Sequence, residues 1–177
     1  MKTLVLYSSK TGNTKLIAEA MASVLDDATI LPIEQTPSTE DFACYDMVCI
    51  GYWVDKGLPD AKCLQVIKSL NGCNVALFGT LGAYPDSDHA KECIQNSEVM
   101  LNEENRSNTC YGSFLCQGKV DPRILEMMQK MASAAHPMTE ERKARIEEAK
   151  KHPNEQDCLN AQAFMQGVAQ AFAQKSA

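Results

Sequence analysis

The chain has 177 residues, 45% of them hydrophobic and 23% charged, and carries a formal net charge of -6. That length and balance suit one folded domain with a sizeable core and exclude a disordered chain. An acidic surface disfavours nucleic acid and anionic membrane, and no apolar run approaches the roughly 20 residues that a bilayer span needs.

In chain order, Thr3 to Tyr7 is a short apolar, β-branched run that reads as a buried strand. From Asn13 the pattern turns helical, with Ile17, Ala20, Met21, Val24 and Leu25 recurring on one face. Thr29 to Ile33 is a second strand whose Pro32 suits an edge position. Asp46 to Gly51 is nearly all apolar, as expected of a strand buried on both faces. Tyr52 to Pro59 is read as a loop leading into a helix over 60–70. Asn74 to Gly79 is a fourth strand, followed by the loop Thr80 to Pro85 and a helix that turns Ala90, Cys93, Ile94 and Leu101 inward. Thr109 to Cys116 is the fifth strand.

Beyond Gln117-Gly118 three helical stretches follow. Asp121-Pro122 opens the first, with Ile124, Leu125, Met128 and Met131 on its apolar face and a break at His136-Pro137. Thr139 caps a very polar second stretch over 140–151, and His152-Pro153 breaks it in turn. The last, 157–174, is amphipathic through Ala161, Phe164, Val168, Ala171 and Phe172. A doubly wound domain needs one helix after its fifth strand, and the last stretch is assigned to it, beside the first helix. Residues 119–155 then form a helical excursion within a single domain spanning 1–177. The alternative is that 122–132 takes the sheet position and everything later is an appendage.

Eight cysteines contain no Cys-x-x-Cys pair, and several fall in expected strands or on apolar helix faces. Met1-Lys2-Thr3 leads straight into the first strand, leaving no room for a signal peptide. The thiols are therefore expected to be reduced, small core residues of a cytoplasmic protein. His89, His136 and His152 lack metal-ligand spacing, so no metal site is expected.

The most informative stretch joins the first strand to the first helix. Ser8 to Asn13 is polar or glycine, and a parallel α/β sheet places its first ligand loop there. Hydroxyls on Ser9, Thr11 and Thr14, a tight turn at Gly12 and the unpaired amides of a helix start suit a phosphate. Neither Gly-x-x-x-x-Gly-Lys-Ser/Thr nor Gly-x-Gly-x-x-Gly is present, which excludes the nucleotide P-loop and the dinucleotide fingerprint. Ser9-Lys10-Thr11-Gly12-Asn13-Thr14 resembles the phosphate loop of the flavodoxin family, Ser-x-Thr-Gly-x-Thr after the first strand. The resemblance covers residues 1–118. Short-chain members lack the 119–155 excursion, and long-chain ones carry their extra loop within the fifth strand.

In such a sheet, ligands bind at the carboxyl ends of the strands where the strand order reverses, and the loops after strands one, three and four meet there. Those loops hold the phosphate string, Tyr52-Trp53 and Tyr84, which is what a flat phosphorylated ring system requires. The resemblance implies a flavodoxin-like α/β fold, a doubly wound five-stranded parallel sheet in the order 2-1-3-4-5, and FMN as cofactor. It assigns the phosphate to Ser8, Ser9, Lys10, Thr11, Gly12, Asn13 and Thr14. The rings fall to Tyr52, Trp53, Val54, Asp55, Lys56 and Gly57 and to Thr80, Leu81, Gly82 and Tyr84, with Trp53 or Tyr52 on one face and Tyr84 on the other. Family members offer flavin N5 a backbone carbonyl beside a glycine in the loop after strand three. Here Val54 occupies the usual place and Gly57 lies further along. Lys56 is placed to ease a reduced, anionic flavin.

Acidic residues between Asp86 and Glu104 are read in two ways, as a charge that lowers the flavin potential and steers basic docking surfaces, or as a solvated helix face. The leading functional reading is an electron carrier between redox partner proteins, a reductase and an acceptor. The second is an FMN-dependent reductase of a small molecule such as a quinone, or the dedicated partner of one reductase. The third is a non-redox binding module.

Overall fold

The computed structural model describes residues 1–130 and 138–176; the expected positions of Met131 and of the break at His136-Pro137 lie outside them. Five parallel strands form the sheet: β1 (Lys2–Tyr7), β2 (Asp27–Pro32), β3 (Met47–Asp55), β5 (Asn74–Leu81) and β6 (Thr109–Gln117). A sixth, two-residue strand, β4 (Leu58–Pro59), pairs antiparallel with the end of β3 only. The order is β2-β1-β3-β5-β6, which is the doubly wound 2-1-3-4-5 arrangement once β4 is set aside. Pro32 ends the edge strand β2, opposite Tyr7, where a missing ladder donor costs least.

Strand alternation divides the core between the two faces of the sheet. Leu4, Leu6, Val48, Ile50 and Leu77 point to one face, where α2 (Ala61–Ser69) and α3 (Asp88–Asn102) bring Cys63, Ile67, Cys93 and Leu101. Val5, Met47, Cys49, Ala76 and Phe78 point to the other, covered by Ile17, Ala18 and Met21 of α1 (Asn13–Ala22) and by Ala161, Met165 and Val168 of α6 (Glu155–Ser176). Each fully buried Val, Leu, Ile, Met or Phe among them contributes about 1.5–3 kcal/mol. The last helix thus holds the sheet position beside α1. Among the described residues two helices, α4 (Pro122–Lys130) and α5 (Glu140–Ala149), lie in the chain between β6 and α6, where the excursion is expected.

The segment after β3 departs from the expected loop. β3 continues through Tyr52 and Trp53 to Asp55, and the chain returns as β4, pairing Asp55 with Leu58 and Val54 with Pro59. Lys56 and Gly57 make the turn at φ 52° and 84°, and positive φ at both central residues is what a two-residue hairpin requires. β6 carries an irregularity opposite Val75–Leu77 that skips Tyr111 and Gly112. All eight cysteines are free thiols, and burial pushes the Cys49 thiol up to about 12. No helix among the described residues is long and apolar enough to cross a membrane.

Candidate functional site

The carboxyl ends of β1, β3 and β5 meet the chain leaving β6 around one cleft. Ser8 extends β1 by one rung, its amide donating to the Gly51 carbonyl at 2.8 Å. Its hydroxyl donates to Asp60 Oδ1 at 3.0 Å, and the same oxygen caps α2 by accepting from the Lys62 amide. Ser8 therefore ties the first loop to the hairpin and is consumed in doing so. Gly12 stands at the N-cap of α1 with φ 89°, ψ -12° and no side chain capping the helix. A left-handed residue here favours glycine, and an uncapped first turn leaves its amides aimed into the loop.

Two of the string's polar side chains are committed elsewhere. Thr14 is buried, and its hydroxyl pairs with that of Thr80 at 3.0 Å, fixing α1 to the end of β5. Asn13 Nδ2 donates to the Lys119 carbonyl at 2.9 Å. The Ser9 hydroxyl, by contrast, is buried with no partner among the described residues, as is Asp60 Oδ2. A buried hydroxyl costs free energy unless something pairs with it. Thr11, exposed beside it, keeps its hydroxyl available. The remaining donors, Ser9 Oγ, Thr11 Oγ1 and the α1 amides, form a set that fits a phosphate.

The ring-side residues separate into three groups. Trp53 and Val54 are half-buried and line the cleft, as do Thr80, Leu81 and Gly82. Lys10 Nζ stands 3.7 Å from the centroid of the Trp53 ring. Tyr52 is fully buried in the core between β3 and α3, its hydroxyl bonded to Ser97 at 3.0 Å. That burial also pushes its phenol pKa up. Strand alternation sends Tyr52 inward wherever Trp53 faces the cleft, so it has no face to offer a ligand. Asp55, Lys56 and Gly57 belong to the hairpin tip; Lys56 and Gly57 lie outside the cleft lining, whereas Asp55 borders the adjoining hollow that also holds Ser9, Lys10 and Trp53, and Asn96 of α3 donates to the Gly57 carbonyl at 3.2 Å. Tyr84 is 38% exposed and does not line the cleft either.

The place expected for Tyr84 is taken by the chain after β6. Gly118, Lys119, Val120 and Asp121, with Ile124 of α4, close the far side of the cleft. A β-carbon on Gly82 would lie 2.8 Å from Val120 Cγ2, and one on Gly118 would lie 2.7 Å from Asn13 Nδ2. This wall is held at its β6 end: the Gly118 amide donates to the Leu81 carbonyl at 2.9 Å and the Lys119 amide to the His152 carbonyl at 3.1 Å. Asp121 receives the Arg123 side chain at 3.1 and 2.7 Å and the Arg123 amide at 2.9 Å. The Arg123 guanidinium, then its amide, hold the Asp121 carboxyl below the usual carboxylate range, with Lys10 a smaller influence. Sequence spacing carries no signal for this wall, because nothing local in 118–124 marks it as facing β5.

The cleft has a volume of about 90 Å³. A second one, of about 400 Å³, shares Lys10 and Trp53 with it and includes Ser8, Ser9, Pro32 and Asp60 on its way to the β2 edge. Trp53 and Lys10 therefore border both. Among the described residues no group of three His, Cys, Asp or Glu side chains could hold a metal.

A doubly wound parallel sheet with a hydroxyl-rich, uncapped loop after β1 and an indole at the end of β3 defines a flavin-type binding fold. A family model for the flavodoxin domain matches residues 4–166, and the chain belongs to that family. It is 34% identical over 173 residues to the flavodoxin-like domain-containing protein BilS of Clostridioides difficile (strain CD3), covering 95% of this chain and 96% of the relative. It is 30% identical over 150 residues to the protein of the same description in Clostridium symbiosum (strain WAL-14163), with 76% and 77% covered. In fold it is similar to the Streptococcus pneumonia TIGR4 flavodoxin, with a TM-score of 0.60 at 13% identity over 97% of this chain and 99% of that one. Oxidised Flavodoxin 2 of Bacillus cereus gives the same TM-score and coverage at 17% identity.

Proposed function

We propose that the protein binds FMN and carries electrons between redox partner proteins. The observation that carries this reading is the buried, unpartnered Ser9 hydroxyl beside the uncapped start of α1, in a loop that shares a cleft with the sole tryptophan. Ser9, Thr11 and the first-turn amides of α1 hold the phosphate, whose charge the helix dipole favours. Trp53 and Val54 supply one apolar wall for the rings, and Leu81, Gly82 and Val120 the other. FMN supplies one- and two-electron redox chemistry when bound.

The protein's own contribution is to position and to exclude water. Thr14 and Thr80 lock the phosphate loop to β5, so the donors stay in place. Among the described residues no histidine lines the cleft, and the one carboxylate that does, Asp121, is tied to Arg123. No side chain there is set up to shuttle protons to a substrate, which favours a carrier over an enzyme. The deciding measurement is binding: the purified protein takes up FMN at least a hundredfold more tightly than riboflavin, which lacks the phosphate. A protein that ignores FMN, or takes both alike, defeats the reading.

A second reading, an FMN-dependent reductase of a small molecule such as a quinone, draws on the wall formed by Val120 and Ile124, which encloses the cleft on its far side. Quinone turnover with NAD(P)H by the protein alone supports it. Turnover only with a separate reductase and acceptor supports the carrier.

A further inference from the structure

Lys10 occupies the variable position of the phosphate string, and a lysine there is expected to reach for the phosphate. Its ammonium instead lies over the Trp53 ring at 3.7 Å, close enough for a cation–π attraction. No carboxylate among the described residues pairs with it within salt-bridge distance. Among the described residues three charged side chains line the cleft: Lys10, Lys119 and Asp121. Asp121 is bound to Arg123. Lys56, the cation that the sequence offered for this purpose, sits at the hairpin tip outside the cleft. The cleft volume of about 90 Å³ is below the roughly 300 Å³ at the small end of ligand pockets. A tricyclic ring stacking against the indole therefore has to share the Trp53 environment with the Lys10 ammonium or displace it.

We propose that Lys10 is the residue that sets the protein's preference between the two redox states of its flavin, moving from the Trp53 ring to the charge of the reduced ring. This rests on the FMN reading above. The oxidised ring is neutral and gives the ammonium no reason to leave the indole. Uptake of two electrons and one proton from an external reductant leaves the ring with one negative charge near neutral pH. A nearby ammonium stabilises that charge. A lysine that paired with the phosphate would act equally on both states, because the phosphate charge does not change with reduction.

The test compares Lys10→Met and Lys10→Arg with the parent protein, with FMN binding measured in the oxidised state and after anaerobic reduction by dithionite. Lys10→Met is expected to weaken binding of reduced FMN about tenfold more than binding of oxidised FMN, equivalent to a two-electron potential about 30 mV lower. Lys10→Arg, which keeps the charge, retains most of the preference. Equal losses in both states, or none, overturn the proposal while leaving FMN binding intact. A second readout needs no flavin. Trp53 is the only tryptophan, so emission of the FMN-free protein reports its ring alone. A shift in Lys10→Met supports the cation over the indole, and unchanged emission contradicts it. A parent protein that binds no FMN in either state removes the functional reading itself, a result distinct from both.

Discussion

The two walls of the cleft are built on different principles. In the near wall the stretch from Ser8 to Thr14 comes from short-range order, and Trp53 and Val54 are brought beside it by the pairing of β1 with β3. A strand ends, a glycine turns the chain left-handed, a helix begins, and the donors follow from that geometry. The far wall, Gly118 to Asp121 with Ile124, has no such local logic. It stands where it does because Leu81, Asn13 and His152 each hold its backbone or carbonyls from separate parts of the chain. In the proposed FMN reading, one wall supplies the ligand chemistry and the other sets how enclosed that chemistry is.

The largest expected effect strikes the near wall. Ser9→Ala with Thr11→Ala removes two hydroxyl donors to a charged group, each worth about 1.5–3 kcal/mol. FMN affinity should fall at least a hundredfold by absorbance titration, with the thermal midpoint nearly unchanged. An effect below tenfold would shift the phosphate to other donors.

Breaking the far wall comes next. Val120→Asp sets a carboxylate against Gly82 and the apolar side of the cleft, where burying an unpaired charge is costly. FMN affinity is expected to fall about tenfold, since a loss of about 1.4 kcal/mol is one decade. An unchanged affinity would show that the excursion does not touch the cofactor. A sharper contrast sets Trp53→Ala against Tyr84→Ala. Loss of a stacking indole costs about 1 kcal/mol, or several-fold in affinity, whereas Tyr84 lies outside the cleft and its loss should leave affinity within twofold. A large Tyr84 effect would restore the aromatic sandwich that the residues alone suggested.

The smallest effect is one of pH. Asp121 has its folded pKa lowered by Arg123, so its contribution is complete above the unfolded value of about 3.9 and is lost as pH falls through the lower folded one. Amide exchange at the start of α4 should therefore accelerate on acidification, and Arg123→Ala should move that acceleration to higher pH. Exchange independent of pH in both proteins would mean the pair does not hold the wall.

Much of this cleft is legible in the order of residues. Ser9-Lys10-Thr11-Gly12-Asn13-Thr14, between a β-branched run and a helical period, points to the loop, the sheet type and the family. Trp53 lines the same cleft, although as the end of a strand rather than as part of a loop. Tyr52 and Tyr84 leave the cleft for opposite reasons. Extending β3 sends Tyr52 into the core to bond Ser97, whereas Tyr84 sits in a turn whose direction the chain around it decides.

From its order of residues alone, this protein determined the five strands of its parallel sheet, its main helices and the donors at the exit of β1, but not the extension of β3 into the β4 hairpin. Only the tertiary structure decided that Thr14 and Asn13 would spend their polar groups on β5 and on the chain after β6. It likewise decided that Lys10 would rest on Trp53, and that a glycine-led segment more than a hundred residues from the loop after β1 would close the cleft. Such contacts join distant parts of the chain, and side-chain spacing along a sequence holds no record of which distant surfaces will meet.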